Sequence, residues 1–477
     1  MMQKFLTKYW LAFQLLVLLG AVGLGIFSKE TNGSIYLLWL SLFAVESLLL
    51  LPTVFKEETI SEARKRVFRS LEGDSFTYVG LVLVGIVSLQ WLNSGCSLVY
   101  LSDADVWKFS LPPVEWLPYS VQPLPARALL SLVVAVFAGG LVIRNGLGKG
   151  GKRFFLEAAT IMSGMIAAYA VFQSLTGVSP YTTWATNPGA CNPGTFFAFW
   201  FLISLGRDLS SSHSKGSPLK TALWWGFAFV GNLVGFLQFS SALSLLVYVV
   251  VGVVLIIYRI SMLFFQRVQM IKKFHFALGI GVAVSLVTCS IIFLLPQSPI
   301  IPKVMGVTNA ESFEQMIASR NFRMNAAFKI WEGVPWTGVG ANGFSQYLGT
   351  VIEDADWKQA KRDKQFVWND AFQFLCEWGV IGTGILVAMI ITMLIPLFVR
   401  MRHFFGNRNK SVSAWDVFLE FDDYIVPCLV VIVMLLIEGW FSSPFQSPAI
   451  FMSWFCVLAV LPGLLPAKKG KTFLGRG

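Results

Sequence analysis

The sequence predicts an all-α integral membrane protein with about twelve transmembrane helices, both termini in the cytoplasm, and one large extracytoplasmic loop between the ninth and tenth helices. Three observations predict it. The 477 residues are 55% hydrophobic and only 13% charged, with a mean hydropathy of +0.66. The apolar runs reach roughly 18–22 residues, enough to cross a ~30 Å hydrocarbon core. The basic residues fall in alternate connections, as the enrichment of Lys and Arg in cytoplasmic loops requires.

The expected spans are 9–27, 34–55, 76–93, 124–143, 154–176, 190–206, 221–239, 242–266, 274–295, 378–399, 424–441 and 449–465. The first run could be read as a secretory signal, but it is too long for the usual apolar core of one, and its removal would spoil the parity. With the N-terminus inside, 26 of the 37 Lys and Arg residues fall on inner segments. Only Lys29, Lys108 and Arg127 fall in short outer loops, and eight lie in the long loop. The net charge of +11 is therefore a property of topology, and nucleic acid is not an expected partner. The chain divides into residues 1–295 with nine spans, a loop over 296–377, and residues 378–477 with three spans and a cytoplasmic tail.

The six cysteines follow no metal-ligand spacing. Cys289, Cys376, Cys428 and Cys456 lie in or beside apolar runs, whereas Cys96 and Cys191 both fall outside, where a disulfide between them is open. Trp91, Tyr100, Trp107, Trp116, Tyr119, Tyr181 and Trp184 cluster near outer ends and read as an interfacial aromatic belt. His213, His275 and His403 all fall at cytoplasmic ends, so a zinc enzyme working at the outer face is not expected.

The long loop is the stretch with room for water-exposed chemistry. Ser312 to Gln315 reads as a capping box and Gly333 with Pro335 as a stop, which predicts a helix over about 313–332. Phe313, Met316, Ile317, Met324, Ala327, Phe328 and Trp331 form one apolar stripe on it. Arg320 projects from the middle of that stripe, Arg323 sits on its edge, and Lys329 lies opposite. A guanidinium on an apolar face is costly unless it meets an anion, and its fork matches phosphate. The alternative is that Arg320 snorkels or pairs with Glu353, Asp354 or Asp356.

Pro335, Gly338, Gly340, Asn342 and Gly343 follow the helix. The glycine spacing formally fits a dinucleotide fingerprint, but no strand precedes it. What remains is either a turn whose N–H groups face an anion or a plain tight turn. The loop ends at Trp368, Asn369, Asp370, Gln373, Glu377, Gly379 and Gly382. Asp370 and Glu377 sit where the chain re-enters the membrane, a depth at which ionisable groups serve function or start helices. Glu46 and Glu438 are expected to be buried, with a structural role or in the wall of a cavity.

These loop residues resemble the O-antigen ligase and polymerase superfamily of bacterial envelopes. Arg320, Ala326-Ala327, Pro335 and Gly338-Val339-Gly340 keep the order and spacing of one family motif. Asn369, Gln373, Glu377, Gly379 and Gly382 match the next in register, and Asn192-Pro193 with Phe197-Ala198 echoes an upstream element. Three positions depart from it. Trp368 stands where the family has His, Met324 where it has Trp, and Ser240-Ser241-Ala242 lacks the family's Arg.

The resemblance implies a metal-independent, cofactor-free glycosyltransferase in the bacterial inner membrane. Its donor would be a glycan on undecaprenyl diphosphate. Its acceptor would be a hydroxyl of lipid A core, of another glycan or of a protein. In that role Arg320, with Arg323 and more weakly Arg127, meets the diphosphate. Asp370 replaces the absent His as base, and Glu377 holds the junction. A lipid-linked glycan transporter or flippase, or a non-catalytic scaffold of a polysaccharide export complex, are the competing readings.

Overall fold

A computed structural model describes residues 2–23, 31–54, 58–102, 106–176, 193–210, 223–240, 248, 251–252, 310–352, 366–406, 424–440 and 442–465. It is an all-α membrane protein. Among the described residues five helical stretches are long and apolar enough to cross a membrane: Gly33–Leu50, Ser75–Leu92, Pro123–Gly146, Lys149–Gln173 and Asp370–Arg402. Three shorter apolar helices accompany them. The expected spans 242–266 and 274–295 lie almost wholly outside the described residues.

The chain forms two compact units. The first comprises Met1–Leu156, Ile317–Asp422 and Leu435–Gly477. It is built on α1 (Met2–Gly23), α2 (Thr31–Leu50), α3 (Ile60–Glu72), α4 (Ser75–Leu92) and α5 (Pro123–Leu141). The α5 helix is the hub, packing on α1, α2 and α4, and the stretch from Pro123 to Gly146 is 78% buried. Lipid tails are as apolar as leucine, so helices in a membrane associate by close fit rather than by escape from water. Gly80 and Gly140 provide that fit reciprocally: a Cβ on Gly80 would strike the Phe137 ring, and one on Gly140 would lie 2.5 Å from Phe76. The two rings themselves meet at 5.7 Å.

A π-helical turn, Val142–Gly146, ends α5 and carries Arg144. The α3 helix falls in the inner connection between the expected spans 34–55 and 76–93. It is in fact an amphipathic helix with a true capping box, in which Thr59 and Glu62 bond each other's backbone N–H groups. The Thr59 contacts hold the Glu62 carboxyl below the usual range. Between α4 and α5 a short antiparallel hairpin, β1 (Leu98–Leu101) and β2 (Val106–Phe109), sets Tyr100 opposite Trp107. Trp91 and Trp116 are exposed, whereas Tyr119 is buried and leaves the aromatic belt. Cys96 is a free cysteine, and Cys191 lies outside the described residues.

The second unit comprises Glu157–Met316 and Asp423–Met434. It contains most of α6 (Lys149–Thr176), then α7 (Pro193–Ser210), a π-helical segment Trp224–Gly231 and α8 (Asn232–Phe239). Gly164 and Gly231 let α6 and the π segment touch backbone to backbone, since a Cβ on Gly231 would lie 2.7 Å from the Gly164 carbonyl. Asn232, fully buried, locks this crossing. Its amide donates to Thr160 O and Ala228 O, both at 2.9 Å, and accepts from Ser163 Oγ at 2.7 Å. Asn232→Leu removes all three contacts and deprives the buried Ser163 hydroxyl of this acceptor, and is expected to cost about 2–3 kcal/mol, read as a lower melting temperature of the detergent-purified chain. An unchanged melting temperature would show that the amide network contributes nothing.

The long-loop helix is α9 (Ala310–Gly333), followed by α10 (Gly343–Val351). The α9 helix begins before Ser312, so the proposed capping box lies inside the first turns and does not start the helix. Its buried face is also shifted from the expected stripe. Arg323, Ala326, Ala327 and Ile330 are buried, whereas Phe328 is exposed. The next helix, α11 (Asp370–Gly406), begins eight residues before the expected span, because Asn369 Oδ1 accepts from Phe372 N and starts it there. Gln373 and Glu377, at the end of the expected loop, are therefore helical. Then come α12 (Ile425–Glu438) and the almost fully buried α13 (Pro448–Leu464).

Candidate functional site

The loop residues assemble around a break in α11. Gly379 takes φ 64° and ψ −173°, a backbone conformation in effect reserved for glycine. The break frees the carbonyls of Cys376 and Glu377 and the N–H groups of Val380 and Ile381, which an unbroken helix would pair with each other. The segment Pro335–Gly340 supplies all four partners. Val339 N donates to Cys376 O (3.0 Å) and Gly340 N to Glu377 O (2.8 Å). In return Val380 N donates to Pro335 O (2.9 Å) and Ile381 N to Trp336 O (3.1 Å). A buried backbone group left unpaired is costly, so the loop segment completes the helix.

This contact explains the glycines. Gly338 and Gly340 have φ 67° and 81°. A Cβ on Gly338 would lie 2.5 Å from the backbone of Glu377 and Gly379, and one on Gly340 would lie 2.5 Å from Tyr119 O. The turn is thus a backbone-to-backbone lock, and its N–H groups at Val339 and Gly340 are spent on α11 rather than held out to an anion. Asn342, left-handed at φ 56°, begins α10. Glu377, buried, accepts from Gln373 Nε2 at 2.6 Å and from the backbone N–H groups of Asn342 and Phe344. A carboxylate at the positive end of α10 is favourably placed. Gln373 Oε1 in turn accepts from Val367 N (2.8 Å).

Asp370 sits beside this lock. Its N–H donates to Gly439 O (2.8 Å), its Oδ2 accepts from Phe445 N (3.1 Å), and the Gln446 side chain acts on the same carboxyl. Its Oδ1 is buried and has no hydrogen-bond partner among the described residues. Asn369 Nδ2 donates to Trp440 O (3.3 Å), so both residues tie the start of α11 to the α12–α13 connection.

Arg323 is 3% exposed. Its guanidinium reaches Phe366 O at 3.5 Å and stands 5.7 Å from the centroid of the Trp368 ring. That distance is a cation–π contact. Trp368 has φ 63°, a strained conformation for a bulky residue. Arg323 and Trp368 are thus brought together, whereas Asp370, two residues on, meets Gly439 and Phe445. Arg320 lies on α9 one turn before Arg323, and its side chain is outside the described residues. Arg127 is half-buried in the first turns of α5. Glu438 is buried and acts electrostatically on Asp370, whereas Glu46 is exposed on α2, against expectation. The hydropathy around Glu46 is high because α2 is apolar on every side, and the carboxylate takes its outer side.

The surroundings that sequence reasoning missed are polar side chains in the α4–α5 connection. Asn93, buried, clamps that connection through Val114 N (2.9 Å) and Val114 O (2.8 Å). Tyr119 and Tyr347 share a 3.0 Å hydroxyl contact that joins it to α10, and Phe109 packs on the Tyr347 ring. Burial, then the Tyr347 hydroxyl, pushes the Tyr119 phenol far above its ordinary range, so it stays neutral. Gln90 Nε2 donates to Thr337 O (3.4 Å). A single Asn or Tyr beside an apolar run carries no signal for such long-range partners. Among the described residues no three His, Cys, Asp or Glu side chains converge as a metal site would require.

In chemical terms the arrangement offers a buried guanidinium against an aromatic face and a carboxylate oxygen without a partner, both held on rigid backbone. No protein-family model matches the chain, and no curated protein matches it.

Proposed function

We propose that the chain crosses a bacterial inner membrane twelve times, both termini cytoplasmic, and transfers or polymerises a glycan from an undecaprenyl-diphosphate donor onto an acceptor hydroxyl at the periplasmic face. The observation that carries the reading is the buried Arg323 against Trp368, two residues before Asp370 with its unpartnered oxygen. The acceptor oxygen attacks the anomeric carbon, and the bond from that carbon to the diphosphate breaks. The hydroxyl proton passes to Asp370, and the negative charge that develops on the diphosphate is met by Arg323 and Arg320. The acceptor is a hydroxyl of lipid A core, of a glycan or of a protein. The lock at Gly379 keeps the loop and the start of α11 in register, which positions these groups relative to one another.

Asp370→Asn keeps the shape and removes the base. It is expected to lower turnover about 10²–10⁴-fold while donor binding is kept, measured with purified lipid-linked donor and reconstituted protein. Unchanged turnover would remove Asp370 from that role.

A second reading rests on Trp368. A strained tryptophan stacked by arginine, where the superfamily has His, fits a non-catalytic scaffold of an export complex. In that case cross-linking to a partner polymerase would survive the loss of Arg320 and Arg323, and glycan display would be unchanged.

A further inference from the structure

We propose that the end of the first unit remote from the Gly379 break holds a binding site for a phosphate group. Arg400 lies roughly 45 Å along α11 from Asp370 at 1.5 Å per residue, so this site is separate from the one above and independent of its chemistry.

Three cations gather there. Lys152, near the start of α6, is 7% exposed. Its ammonium lies against the last turn of α13, where a Cβ on Gly463 would collide with it. Arg400 donates to the carbonyl of the neighbouring Pro462. Arg144, on the π turn after α5, also acts electrostatically on both. Among the described residues one carboxylate answers them: Asp74 binds Arg144 through both oxygens, at 2.6 and 2.8 Å. Among the described residues no ion pair joins Lys152 to a carboxylate. Among the described residues three positive charges with one negative leave an excess of two in a place largely shielded from water.

Such an excess is expensive unless an anion meets it. The bland explanation is that Lys152 and Arg400 cap the carbonyl end of α13. That end carries only about half an elementary charge, and the Pro462 carbonyl is already taken by Arg400. It offsets a fraction of the excess. A guanidinium fork beside a point-charge ammonium matches the several oxygens of a phosphate.

The surroundings say where such a phosphate would lie. The α3 helix exposes Ile60 and Phe68 together with Arg64 and Lys65, the composition of a helix that rests in the membrane interface. Ser70 Oγ donates to Asn145 Oδ1 and ties α3 to the turn that carries Arg144. The cations therefore sit beside an interfacial helix, within reach of a phospholipid headgroup and of phosphate from solution.

The test uses the full chain purified in detergent. Its melting temperature is followed against inorganic phosphate, phosphatidylglycerol, diacylglycerol and chloride at matched ionic strength. Phosphate or phosphatidylglycerol is expected to raise it above the chloride and diacylglycerol controls. A response to phosphatidylglycerol alone assigns a headgroup, and a response to inorganic phosphate assigns a phosphate from solution. Lys152→Met is expected to melt no lower than the parent without anion and to need about tenfold more of the effective ligand. Arg400→Gln carries the same expectation should Lys152→Met fail to insert. No response to either phosphate compound, or a parental response in the variants, would overturn the proposal.

Discussion

Gly379→Ala is expected to release the loop from α11. Alanine does not hold φ 64°, ψ −173° without strain, and its Cβ would strike Trp336 O and lie 2.6 Å from Gly338 N. The helix then either straightens and expels Pro335–Gly340 or keeps its break against the collision. Straightening trades the four exchanged hydrogen bonds for two within α11, a net loss of two and roughly 2 kcal/mol at about 1 kcal/mol each. It also unseats the Glu377 contacts that start α10. A large drop in melting temperature and rapid proteolysis between residues 334 and 342 are the expected readouts. Gly338→Ala should do the same from the other side of the contact. Parental stability and protease resistance in both would show that the exchange does not hold the loop.

Arg323→Ala is expected to abolish glycan transfer, with a loss of about 10²–10³-fold or more, because a preorganised charge facing the leaving group acts only as negative charge develops there. The substitution leaves the backbone exchange at Gly379 untouched, so its stability effect should be smaller than that of Gly379→Ala. That contrast separates it from Gly379→Ala, which loses activity through the fold. Arg323→Lys should recover little, because an ammonium neither stacks on Trp368 as a plane nor offers a fork.

The helices were legible to the extent that they are apolar and continuous. Hydropathy located the stretches that became α2, α4, α5 and α6 to within a few residues at most ends. It missed α3, because a helix that lies along the interface has the composition of a charged loop, although Thr59 and Glu62 stand at capping-box spacing. The same spacing at Ser312 misled, because α9 begins before it. In the loop, motif spacing singled out Gly338, Gly340, Glu377 and Gly379 without their physical reason. The reason is a pairing of two backbone segments about 40 residues apart in sequence, and no local pattern encodes it. Arg323 was placed at the edge of the apolar stripe. It lies on the buried face because Trp368 and the Phe366 carbonyl receive it. The partners of Asp370, at Gly439, Phe445 and Gln446, come from beyond the following helix and were equally out of reach.

The proposed reaction is bond-forming transfer from a lipid diphosphate that depends on both Arg323 and Asp370. The most direct measurement reconstitutes the purified chain in liposomes with a purified undecaprenyl-diphosphate glycan and a panel of hydroxyl acceptors, and follows free undecaprenyl diphosphate. The account predicts its release in step with glycosylated acceptor, and neither product with Arg323→Ala or Asp370→Asn. Movement of intact donor across the bilayer without a change of bond, or equal release by all three proteins, would contradict it.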